Sequence, residues 1–198
     1  MGASQMSSSA RDTTIQDFLF PAGARDRAIL RAVLLALAGS LLLTLSAKLK
    51  VPFHPVPMTM QTMVVLMLGV AYGSRLGTAT VALYLLQGAA GLPVFADTPE
   101  RGIGLAYMAG PTGGYLAGFM AAAWVAGAIG KGGIARFAAA MIAGHVVIFA
   151  FGLAWLAAAI GAERAWIVGA APFMLATLLK SALGVALLSG LEACVRRR

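Results

Sequence analysis

The sequence predicts an all-α integral membrane protein, a bundle of six transmembrane helices with both termini in the cytoplasm. Three observations carry that prediction. The 198 residues are 60% hydrophobic and only 11% charged, whereas water-soluble chains use ~25% charged residues. Uncharged runs of the length a membrane span needs, ~20 residues, recur from residue 32 onward. All but one of the basic residues sit between those runs or at the chain ends, where they set membrane orientation. The net charge of +8 could suggest nucleic acid, but this placement excludes that reading. Cys194 is the single cysteine, so no intrachain disulfide forms; at the end of an apolar helix it reads as a small core residue.

The chain divides into residues 1–27, read as a cytoplasmic N-terminal tail with no signal-peptide core, and residues 28–198, the six-helix membrane domain. Helices are expected near 28–47, 58–73, 75–91, 112–130, 135–159 and 166–194. Pro52, Pro55 and Pro57 exclude helix from the first connection and favour an extended loop. Gly73-Ser74 makes a tight turn. Gly91-Leu92-Pro93 ends the third helix and opens a long loop to Gly110. The Gly127–Gly133 and Gly161–Arg164 segments join the later helices. With the N-terminus inside, ten Lys and Arg residues fall on the cytoplasmic side, Arg11, Arg25, Arg27, Arg31, Arg75, Lys131, Arg136 and Arg196 to Arg198. Only Lys48, Lys50, Arg101 and Arg164 fall outside. That asymmetry places both termini in the cytoplasm. No internal repeat is evident, which disfavours carriers built from two duplicated halves.

Lys180 is the exception in the charge pattern. It stands inside the last apolar run, where an unpaired charge costs ~2.5–3.5 kcal/mol on insertion scales. Thr177 and Ser181 flank it at helical spacing and make one polar stripe. No acidic residue lies between 101 and 162, so the counter-charge must come from the outer loop, which holds Asp97 and Glu100, or from a ligand. The same absence argues against an acid relay for proton-coupled transport. The 91–115 loop carries Phe95, Tyr107 and Met108, side chains that favour folding back onto the bundle. The Gly110-Pro111-Thr112-Gly113-Gly114 run then starts a helix, its glycines baring backbone N–H groups that could face an anion. His145 and His54 have no second ligand at metal spacing, so no metal is expected, and His145 reads as an interhelical hydrogen bonder. No phosphate-binding Gly-x-x-x-x-Gly-Lys-Ser/Thr occurs; an ATP-driven system would need its ATPase in another chain.

Four blocks in order across residues 30–190 resemble one family. They are Pro55–Thr62 (PVPMTMQT), Leu83–Ala96 (LYLLQGAAGLPVFA), Gly110–Leu116 (GPTGGYL), and Pro172-Phe173 leading to Leu178-Leu179-Lys180. The family is BioY, the biotin-binding S components of energy-coupling-factor (ECF) transporters. The resemblance implies a six-helix bundle that captures biotin near its outer face under the first outer loop and the loop before the fourth helix. It implies that the lysine matching Lys180 contributes to the site. It also gives Ala32-x-x-x-Ala36 a role in meeting the transmembrane coupling protein. Where the family often has Gly-Asp before the lysine, this chain has Ala176-Thr177, a neutral hydroxyl in place of the ionic partner.

The expectation is therefore biotin uptake by a membrane subunit of a bacterial inner membrane, without covalent chemistry and without a cofactor, biotin being a ligand. Phe95 and Tyr107 are expected to pack on the ring, and Asp97 and Thr177 to hydrogen-bond. Thr112 stands at the helix start beside them, and Lys180 takes either the ureido carbonyl or the carboxylate. Expected partners are biotin, an ECF coupling protein with ABC-type ATPase subunits, membrane lipid and, as an open alternative, further copies of the chain; nucleic acid is not among them. The rival function is an S component or ion-coupled carrier for another small vitamin-like solute. An intramembrane enzyme would need a nucleophile and an oriented base, and His145 with Ser181 or Thr177 offers no third group to orient them.

Overall fold

The computed structural model describes residues 25–51 and 58–197, and over them the backbone is almost wholly helical. The N-terminal tail up to residue 24, His54 and the three prolines of the first outer loop lie outside the described residues. Helix α1 (Arg25–Lys48) leads to a two-residue strand β1 (Lys50–Val51), which pairs antiparallel with β2 (Met58–Thr59), Lys50 opposite Thr59. Then follow α2 (Gln61–Ala89), the short α3 (Gly104–Met108), α4 (Gly113–Ile129), α5 (Ile134–Ile160), α6 (Ala162–Gly169), a 3-10 turn at Ala171–Phe173, and α7 (Met174–Arg196).

Two of the six expected helices lie within α2. Gly73 adopts φ 77° and ψ 167° inside it, a conformation that glycine takes without the Cβ penalty. The chain reverses there, because a Cβ on Gly77 would lie 2.8 Å from the Cα of Gly69. Eight residues apart on a straight helix, these two would be ~12 Å apart. The expected tight turn at Gly73-Ser74 is thus the tip of a helical hairpin, with arms on either side. Together with α1, α4, α5 and the α6–α7 rod they make six staves.

The last stave departs from expectation. A single helix over 166–194 is replaced by α6 and α7 with a break between them, and α6 begins directly after Gly161. The cause is Pro172, which has no N–H to donate to the carbonyl one turn back and whose ring crowds that turn. Ala170 takes φ −129° and ψ −56°, and the helix resumes only at Met174. The expected open loop before the fourth helix likewise contains a helical turn, α3. Cys194 is exposed rather than a core residue.

The bundle is apolar on both its inside and its outside. Leu66, Tyr84, Phe137, Met141, Ile148 and Leu188 are fully buried. Outward, α1 exposes Leu30, Leu34 and Leu41, and α7 exposes Leu175, Leu178 and Leu179. Four helical segments, Arg27–Lys48, Gln61–Ala89, Ile134–Ile160 and Ala162–Arg196, have the length and hydropathy to cross a membrane. Such a surface is stable against hydrocarbon and not against water. Small residues set the spacing between staves, as membrane helices require: a Cβ on Gly69 would lie 2.5 Å from the Ala123 carbonyl oxygen, and one on Gly127 2.6 Å from the Gly69 oxygen.

Candidate ligand-binding site

The end of the bundle opposite Gly73 holds a cavity of about 400 Å³, within the range of small-molecule sites. It forms because the residues before α2, the 90–112 segment and the α6–α7 break all meet at this end. Its wall has a polar part from α2, α5 and α7, and an aromatic and aliphatic part from α4, α5 and the 90–112 segment.

Lys180 is buried in the polar part. Its ammonium donates to the Thr59 carbonyl oxygen at 3.3 Å and to Thr62 Oγ1 at 3.1 Å. Thr62 Oγ1 also lies 3.3 Å from His145 Nε2, and His145 Nδ1 lies 2.9 Å from the Met141 carbonyl oxygen. A carbonyl only accepts, so Nδ1 carries the proton and Nε2 accepts from the Thr62 hydroxyl. The hydrogen bonds then run one way, from Lys180 to Thr62 to His145 to the α5 backbone. Ser181 Oγ sits 3.2 Å from the same Nδ1. Because that nitrogen already holds a proton, it cannot act as a base toward Ser181. Both of the Lys180 partners are neutral, so among the described residues its charge is solvated by dipoles and not balanced by a carboxylate.

Phe95 lies behind the cavity wall. It is fully buried, stacked on Tyr107 (ring centroids 5.0 Å apart, planes 18° apart) and edge-on to Tyr84 at 5.4 Å. Gly88 makes room for it, since any Cβ there would overlap the Phe95 ring. Tyr107 is the face that reaches the cavity. Beneath, Gln61 Nε2 donates to the Tyr84 hydroxyl at 2.7 Å, and that hydroxyl donates to the Val94 carbonyl at 3.0 Å. The loop is thereby tied to the start of α2. Asp97 also lines the cavity, at φ +54°, with Arg101 Nε 3.5 Å from its Oδ2. On the far side Tyr115 donates to the Gly169 carbonyl at 2.9 Å, and Trp155 Nε1 donates to the Gly110 carbonyl at 3.0 Å.

Of the residues expected from sequence, Asp97, Tyr107, Thr112, Thr177 and Lys180 come together around the cavity. Phe95 stands one layer back. Ala32 and Ala36 are remote from it, half-buried on the same face of α1 as the buried Gly39, Ser40 and Leu43. Gln61, Thr62, His145, Arg101 and Tyr115 also line it and were not singled out as ligand contacts. A signal for three of them was present, because Gln61, Thr62 and Tyr115 stand inside the blocks PVPMTMQT and GPTGGYL.

The sequence profile described as the BioY family matches residues 13–197, nearly the entire chain. The chain belongs to the BioY family. Among its relatives, a probable biotin transporter BioY of Pyrococcus horikoshii is 35% identical over 151 residues, covering 76% of this chain and 90% of that one. A biotin transporter BioY of Rhizobium etli is 40% identical over 142 residues, covering 65% of this chain and 74% of its own length. A crystal structure of the S-component for biotin from an ECF-type ABC transporter superposes with a TM-score of 0.72 at 20% identity, over 87% of this chain and 95% of that one. At that identity the likeness establishes the fold, a six-helix S-component bundle. BioY relatives are named as transporters, and nothing in the cavity chemistry described above departs from that.

Proposed function

We propose that this chain is a biotin-binding S component that captures biotin at the outer face of a bacterial inner membrane and delivers it inward with an ECF coupling protein and ABC-type ATPase subunits. The observation that carries this is the cavity itself: one site joining an intramembrane lysine to a stacked aromatic face, in a BioY-family bundle. Biotin presents a planar ureido group, an apolar ring and a carboxylate, which is the mixture such a wall accommodates. In this reading Tyr107, backed by Phe95, packs on the ring. Asp97, Thr112 and Thr177 supply hydrogen bonds, and Lys180 binds the ureido oxygen or the carboxylate. Both termini face the cytoplasm, the cavity end faces out, and Ala32 and Ala36 meet the coupling protein.

Calorimetry of the detergent-purified protein against biotin and a panel of other vitamins tests the ligand; tight binding of a different vitamin with none of biotin overturns it. That second outcome has one specific observation in its favour, Thr177 where the family often has an aspartate. For orientation, cysteines at 101 and 164 in a Cys194→Ser background should react with an impermeant thiol reagent from outside, and one at 131 should not. Labelling of 131 from outside reverses the topology. For coupling, Ala36→Trp should block co-purification with the coupling protein while biotin still binds. Because this face is half-buried, loss of biotin binding in Ala36→Trp would instead assign it to internal packing.

A further inference from the structure

Lys48 ends α1 at the cavity end of the bundle, and sequence alone gives it no role beyond marking the outer side. In the structure its ammonium donates three hydrogen bonds, to the Phe95 carbonyl at 2.8 Å, the Thr98 carbonyl at 2.8 Å and Thr98 Oγ1 at 2.9 Å. An ammonium has three N–H groups, so all of them are spent on one short segment of the loop, 47 to 50 residues away. Thr98 Oγ1 in turn donates to the Phe95 carbonyl at 2.7 Å.

The position of that segment gives these bonds their meaning. Phe95 backs Tyr107, and Ala96 and Asp97 line the cavity. From within the bundle the segment is fastened at Val94 by the Tyr84 hydroxyl. From α1 it is fastened at Phe95 and Thr98 by Lys48. Asp97 therefore hangs between two fixed points, one on α2 and one on α1. Exposed ion pairs are worth little, but among the described residues Lys48 is not paired with an anion. It satisfies loop carbonyls through charge-assisted bonds, the stronger class of hydrogen bond. Helix α1 packs chiefly on α2, and Lys48 links it also to the loop that lines the site.

We propose that Lys48 is a positioning residue for the binding site: it holds the 95–98 segment, and with it Asp97 and the Phe95–Tyr107 stack, closed over the ligand. This rests on the biotin reading for its affinity measurement but not for its loop measurement. The test uses the full chain with Cys194→Ser and a spin label at Glu100→Cys. Loop mobility is read in the ligand-free protein, and biotin dissociation is read by chase. Lys48→Met should raise label mobility and speed biotin dissociation by roughly tenfold or more, the scale of losing hydrogen bonds to a charged group. The association rate should change little. Lys48→Arg should fail to restore the parent behaviour, because a planar fork cannot aim three donors from one nitrogen at three converging oxygens. Full rescue by arginine together with a salt-sensitive association rate would show a charge acting at a distance, and would overturn the proposal. Unchanged label mobility in Lys48→Met would also overturn it. Should Lys48→Met fail to fold, Thr98→Val removes one acceptor and should shift mobility and dissociation in the same direction by a smaller amount; no shift refutes the strut. If the parent protein binds no biotin, the functional reading fails while the mobility arm still decides about Lys48.

Discussion

At the end of the bundle that carries the Gly73 turn, backbone touches backbone. Gly69 lies against Ala123, Gly77 against Gly69, and Gly127 against Gly69 and Ser74. At the cavity end only α4 and α5 still meet this way, Gly114 against the Phe151 oxygen, and elsewhere side chains bridge the gaps: Lys48 to the loop, Tyr84 to Val94, Tyr115 to Gly169, Trp155 to Gly110, and Lys180 through Thr62 to His145. Close glycine contact gains dispersion energy over many atoms and leaves no room to adjust. Side-chain bridges enclose space and can be broken one at a time. In the proposed reading the glycine-packed end carries most of the fold stability and the cavity end the recognition, and substitutions should separate the two.

The largest effect is expected at the packed end. A valine at Gly127 would drive its Cβ onto the Ser74 nitrogen and the Gly69 oxygen, and backbone atoms cannot rotate away. Gly127→Val should cost about 3 kcal/mol or more, the upper range for overpacking, and lower the melting temperature sharply. Any folded fraction should bind biotin with parental affinity. Weakened affinity in that fraction would break the division between the ends.

Lys180→Met comes next and should do the reverse. It keeps the length and apolar stem while deleting a charge that has only neutral partners. Biotin affinity should fall by about 1.5–3 kcal/mol, on the order of tenfold to a hundredfold in Kd, with thermal stability of the empty protein unchanged or raised. Lys180→Arg should also weaken binding. A stability loss with normal affinity would make Lys180 a structural residue.

The smallest effect sharpens the comparison. Thr62→Val preserves shape but removes the hydroxyl between Lys180 and His145. An affinity loss of about 1 kcal/mol is expected, a single net hydrogen bond, measured by calorimetry beside a melting curve that barely moves. If Thr62→Val melts as poorly as Gly127→Val, the polar bridges carry the fold as well.

Much of the bundle was legible because a membrane span writes itself locally, as an uncharged run ended by glycine, proline or a basic residue. Gly73-Ser74 was readable as a turn for that reason, and Lys180 stood out because a charge in such a run has a cost. Pro172 signals the break at Ala171–Phe173, but the helix expected over 166–194 runs through it, since apolar content alone does not register a kink. What sequence could not give is contact at a distance. Nothing local tells that Phe95 fills the space left by Gly88, that Gln61 reaches Tyr84, or that Lys48 meets Thr98. His145 was read correctly as a hydrogen bonder, yet its placement in the cavity wall depends on how α5 is rotated against α2.

The Gly73 hairpin has a further consequence, in depth. From Gln61 to Tyr72 the first arm is ~18 Å long at 1.5 Å per residue, while the hydrocarbon layer is ~30 Å thick. With the hairpin tip at one membrane boundary, Thr62 and the Lys180 ammonium it accepts from lie roughly two fifths of the way in from the other. In the proposed reading, biotin seated against them lies below the headgroup region, part of the way along its route. On that reading capture and the first stage of passage share one step, and membrane thickness sets how much of the journey remains.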